Sequence, residues 1–86
     1  MKVSYLEQEE VMSVMATRLQ EIREGIGLSL EGLARRSGIS PRTVRNAEDG
    51  KRISFESSIQ ILQGLNSALS DAGKQTISLD DLGLTL

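Results

Sequence analysis

Residues 37 to 52 read SGISPRTVRNAEDGKR. Ser40 followed by Pro41 marks a helix start. The serine side chain suits an N-cap, and the missing N–H of proline costs nothing at the first helical position. Gly38 suits a left-handed residue just past a preceding helix, and Gly50 suits the stop of this one. The spacing places Val44 and Ala47 inward. Arg42, Arg45, Asn46 and Asp49 recur at three- and four-residue intervals on the opposite face. Lys51 and Arg52 follow, and Arg35 and Arg36 lie just upstream. Within the stretch only Glu48 and Asp49 oppose this charge, although the chain as a whole carries a net −2. Positive charge is gathered around one glycine-punctuated segment of an acidic protein.

Composition bounds the rest. The 86 residues make one small domain (1–86), with no cysteine to staple it. Histidine is also absent, which removes the commonest general base and metal ligand. With no convergent carboxylate cluster either, the reading is not an enzyme, with no catalytic group, metal or cofactor. Aromatics are limited to Tyr5 and Phe55, so stacking on single-stranded nucleic acid is disfavoured. No apolar run reaches the ~18 residues of a membrane span and no signal-peptide pattern follows Met1. The expectation is a soluble, cytoplasmic protein with no membrane association.

Working outward, Ser4 with Glu7 reads as a capping box, and Val11, Met15, Leu19, Ile22 and Ile26 keep helical spacing. A long first helix is expected over residues 5–24, stopped by Gly25 and Gly27. Ser29 caps a short second helix with Leu30, Leu33 and Ala34 inward, and Ile39 plugs the turn after it. Ser54 caps a fourth helix whose stripe reads Phe55, Ile59, Leu62, Leu65, Leu69 and Ala72, ending near Gly73. The tail is ambiguous. Ser78 with Asp81 resembles a helix cap, but Ile77, Leu79, Leu82, Leu84 and Leu86 also alternate around Asp80–Asp81. A hairpin or extended strand is slightly favoured.

The second and third helices form a pair. Ala34, Gly38 and Val44 supply a small residue, a left-handed turn and an inward β-branched residue, which lets two short helices cross tightly as a helix-turn-helix. Arginine can fork onto guanine and asparagine can pair with adenine in the major groove. Helix N-termini and loop cations suit phosphates. Taken alone, Arg42, Arg45 and Asn46 read as a solvated polar face; within the helix-turn-helix frame they read as DNA contacts.

The ordered segments "RLQEIR" and "GLS", then "LEGLARRSGISPRTVRNAEDGKR", then "SFESSIQILQGL", resemble the Cro/phage-repressor type of helix-turn-helix regulators, also called the xenobiotic-response-element family. The match runs from about Met15 to Leu65, the expected core. The resemblance implies a small all-α bundle that binds double-stranded DNA. It implies base contacts from Ser40, Pro41, Arg42, Arg45 and Asn46, and phosphate contacts from Ser29, Leu30, Thr43, Lys51 and Arg52. It also implies a structural ion pair between Arg23 and Glu48. Leu30 stands where the family often has glutamine, Pro41 brings no donor to a base-reading position, and Ala47 replaces a larger apolar residue. About ten extra residues separate Leu65 from "ISLDDL".

The function expected is a transcriptional repressor acting as a homodimer on a near-palindromic operator. Dimerisation is expected through the tail, 66–86, and the end of the fourth helix: Leu65, Leu69, Ile77, Leu79, Leu82, Leu84 and Leu86. An antitoxin that binds both DNA and a toxin is one alternative. A protein-interaction module with a degenerate helix-turn-helix, argued from Leu30, Pro41 and the net charge, is another.

Overall fold

The structure is a computed structural model that describes residues 17–86. It is all-α: α1 (Arg18–Gly25), α2 (Leu30–Ser37), α3 (Pro41–Glu48) and α4 (Phe55–Asp71), followed by a 3₁₀ turn, Leu79–Leu82. Local chemistry sets the starts of three helices. Ser29, Ser40 and Ser54 each accept a backbone N–H from three residues on, Gly32, Thr43 and Ser57 respectively. Each bond satisfies one of the donors that a helix start leaves unpaired.

α1 is shorter than expected. Thr17 is extended (φ −71°, ψ 155°), so the helix begins at Arg18 rather than running through from residue 5. The Ser4–Glu7 box, Val11 and Met15 lie outside the described residues. Leu19, Leu33, Val44, Ala47, Ile61, Leu65 and Leu82 are completely buried and form the centre of one core, to which all four helices and the 3₁₀ turn contribute.

α4 turns a different face inward than the stripe suggests. Ser58, Ile61, Gly64, Leu65, Ala68 and Leu69 are buried, whereas Phe55 and Ala72 are exposed and Ile59 and Leu62 are half-buried. The contact with α2 sets this rotation. A Cβ on Gly64 would lie 2.8 Å from the backbone nitrogen of Ser37 and 2.9 Å from its Cα. The helices can approach this closely only where glycine faces α2.

The tail corrects two expectations. It forms neither a hairpin nor an extended strand over Ile77–Leu86. Ser78 donates its N–H and its hydroxyl to one carboxylate oxygen of Asp81, at 3.0 and 3.1 Å, and this closes the 3₁₀ turn. The only extended pairing of the tail among the described residues is an isolated parallel bridge between Arg52 and Thr85, in which Ile53 N–H donates to the Thr85 carbonyl at 3.0 Å. Asn66 on α4 holds the entry to the turn: its amide donates to the Ile77 carbonyl and accepts the Ile77 N–H, at 3.0 and 2.9 Å. The tail therefore folds back as a strap. Leu65, Leu69 and Leu82, expected at a dimer contact, belong to the chain's own core, and Ile77, Leu79 and Leu84 pack partly buried against it. Of the expected dimer residues only Leu86 is largely exposed, at 45%.

Candidate nucleic-acid interface

α2 and α3 meet through a three-residue turn. Gly38 is left-handed (φ 73°), and its N–H and that of Ile39 both return to the Ala34 carbonyl, at 2.9 and 3.2 Å. This hydrogen-bonded reversal stops α2 and aims the chain into α3. Buried Ala34, Val44 and Ala47 then hold α3 against the core, so its other face is presented outward.

On that face Ser40, Pro41, Arg42 and Arg45 are exposed, and Thr43 and Asn46 are half-buried. The Ser40 hydroxyl accepts the Thr43 N–H at 3.2 Å and lies 3.0 Å from the Thr43 hydroxyl, which fixes the first turn of the helix. Lys51 and Arg52 are exposed in the loop that follows. Among the described residues, no ion pair engages Arg42, Arg45, Lys51 or Arg52. At the start of α2, Ser29 is committed to capping and exposed, and Leu30 is half-buried, leaving its backbone as the group available there.

The acidic residues of the same stretch are not equivalent. Glu48 is buried at 4% exposure and faces α1, where its carboxylate accepts from Nε and Nη2 of Arg23, the latter at 3.0 Å. The Arg23 Nη1 donates to the Leu28 carbonyl at 2.9 Å, so the guanidinium also ties down the loop between α1 and α2. The hydrogen bond from Glu48 raises the Arg23 pKa above its ordinary value, against the opposing effect of burial. Glu48 is thus neutralised inside the fold, and only Asp49 remains exposed beside the cations. The outer face of α3 is more positive than the sequence of the segment implies.

Arg36 is turned elsewhere. It donates to Asp71 at 2.9 Å and to Ser67 at 3.0 Å on α4. Asn66 and the Arg36–Asp71 contact were not legible from the sequence. A lone asparagine midway along an apolar helix face was the available signal for the first. Among the described residues no helix is long and apolar enough to cross a membrane.

Two short helices crossed at a left-handed glycine, the second offering a basic face that no ion pair engages among the described residues, define a helix-turn-helix DNA-binding protein. A family model described as helix-turn-helix matches residues 19–71, well over half the chain, and the protein belongs to this family, of the Cro/phage-repressor type of DNA-binding regulators. No curated protein and no solved structure matches the chain.

Proposed function

We propose that this protein is a sequence-specific transcriptional repressor that binds a near-palindromic operator as a homodimer and acts by occlusion. The observation that carries this reading is the exposed face of α3, where Arg42 and Arg45 have no ion-pair partner among the described residues while Glu48 is held inward. Arg42, Arg45 and Asn46 read base edges in the major groove. Ser40 and Pro41 bring the start of α3 close to the bases. Ser29, the backbone of Leu30, Thr43, Lys51 and Arg52 meet phosphates and set the register. Two copies would place their α3 helices in successive major grooves, ~34 Å apart.

Selection of bound duplexes from a random pool tests the reading. A recovered inverted repeat with half-sites one helical turn apart is the expected result. On that sequence, Arg42→Ala and Arg45→Ala should each cost ~1–3 kcal/mol and relax preference at one base pair per half-site. Lys51→Ala should weaken all duplexes about equally. Failure to bind any duplex at low salt overturns the reading.

A further inference from the structure

The two cations that follow α3 are held by different parts of the chain. The Gly50 N–H donates to the Ala47 carbonyl at 3.1 Å and the Lys51 N–H to the Asn46 carbonyl at 2.9 Å, so Lys51 is carried by the end of α3 itself. Arg52 is held from the tail. It pairs with Thr85 in the isolated parallel bridge, and the next N–H along, that of Ile53, donates to the Thr85 carbonyl at 3.0 Å. Successive side chains of extended backbone point to opposite faces. Ile53 is buried in the core, so the bridge turns Arg52 outward, where it is exposed. The segment that supplies the Thr85 carbonyl is itself anchored. Leu82 is completely buried, and Gly83 turns left-handed (φ 68°) between it and the bridge.

We propose that the tail is part of the DNA-binding machinery: Gly83 and Thr85 are positioning residues that set Arg52 against its phosphate through the bridge. This rests on the DNA-binding reading given above. An arginine on an unpinned loop must be ordered when it binds, and that ordering weakens the complex. The bridge orders the Arg52 backbone beforehand. Lys51 needs no such help, because α3 already holds it. Gly83 matters through its backbone alone. A Cβ added there meets nothing within 4 Å among the described residues, but the left-handed φ is one that a β-branched residue resists. A valine at this position therefore redirects the tail without a clash, whereas asparagine tolerates the conformation.

Binding to a random duplex, which reads phosphate contacts, tests the inference in combinations of variants. Gly83→Val should weaken binding ~2- to 12-fold per protomer, the effect of ordering one more long side chain. Gly83→Asn should bind as the unaltered protein does. Added to Arg52→Ala, Gly83→Val should cause no further loss, because the side chain it positions is gone. Added to Lys51→Ala, it should keep its full effect. Deletion of 85–86, which removes two exposed residues and the Thr85 carbonyl, carries the same cycle if the valine variant does not fold. A tail change that costs nothing, or that costs the same with and without Arg52, overturns the inference. So does an Arg52→Ala protein that binds as well as its parent while Lys51→Ala weakens binding, and in both cases the DNA-binding reading stands. An unaltered protein that binds no duplex at low salt overturns both.

Discussion

Gly64 decides how closely α4 can lie on α2. Its neighbour is backbone, the nitrogen and Cα of Ser37, which cannot rotate away as a flexible side chain could. Gly64→Ala gains ~1 kcal/mol of helix propensity. Forcing the helices apart should cost more, ~1–3 kcal/mol. A net fall in the urea midpoint is the expected outcome; a rise would show that the crossing yields freely. The Ser37 hydroxyl at this contact is buried with no hydrogen-bond partner among the described residues. Arg23 and Glu48 make the opposite case. Both side chains are largely buried, at 11% and 3% exposure, so truncating one strands the other's charge. Each single alanine should cost ~3–5 kcal/mol. A double-mutant cycle should then show coupling well above the ~0.5 kcal/mol tolerance for additive sites; additivity would refute the pair. These two contacts were not equally legible. Nothing in the spacing joins residues 23 and 48; only the family resemblance did. The need for glycine at 64 depends on what α2 places opposite, which no reading of α4 alone contains.

Helix starts were the most legible elements because their determinants lie within four residues. Ser29, Ser40 and Ser54 cap as their sequences imply, and Gly38 turns left-handed where α2 stops. The inward face of α4 is legible in part: Leu65 and Leu69 are buried as the stripe implies, but a stripe of large residues omits Ile61 and the small Ser58, Gly64 and Ala68, and the place of Gly64 depends on the backbone of α2. The tail was misjudged for another reason. Alternating leucines satisfy a strand pattern, yet the Ser78–Asp81 hydrogen bonds are local and close a turn before any distant pairing can compete. Those bonds, first the Ser78 N–H and then its hydroxyl, hold the Asp81 carboxyl below the usual aspartate range. A carboxyl whose folded pKa is depressed stabilises the fold above its unfolded pKa, ~3.9. That contribution is lost as pH falls through the lower folded value. The 3₁₀ turn should therefore be intact at neutral pH and loosen only below about pH 4. The amide resonance of Ser78, followed by NMR, should report it. Asp81→Asn should abolish that titration, and an unshifted Ser78 amide down to full protonation would remove the cap from the account.

At the scale of the whole molecule the tail and the charge distribution are the two features to account for. The apolar residues of the tail find their cover within the chain: α4 and the loop before it offer a surface on which the strap lies. Deletion of 74–86 thus removes a completely buried Leu82 and the partner of Ile53 N–H. It should cost at least the ~2–5 kcal/mol of a core Leu→Ala change, rather than leave a folded monomer; an unchanged melt would return the tail to the surface. The DNA-binding face raises a different question: how a chain of net charge −2 approaches a polyanion. With Glu48 folded inward against Arg23, the exposed charge beside Arg42, Arg45 and Lys51 is locally positive, whatever the total. Association then depends on counterions displaced from that face, and the acidic remainder adds repulsion that salt screens. If a dimer neutralises ~6–8 phosphates, log affinity should fall with log salt at a slope near −5 to −7. Lys51→Ala, which removes one phosphate contact per protomer, should flatten that slope by ~2 for the dimer. Arg42→Ala should instead lower affinity chiefly on the selected operator, with a smaller change in slope, if its guanidinium forks onto a base. Titrations at several salt concentrations, on operator and random duplex, separate the two kinds of contact. Equal slopes for all three proteins would mean that neither side chain meets a phosphate.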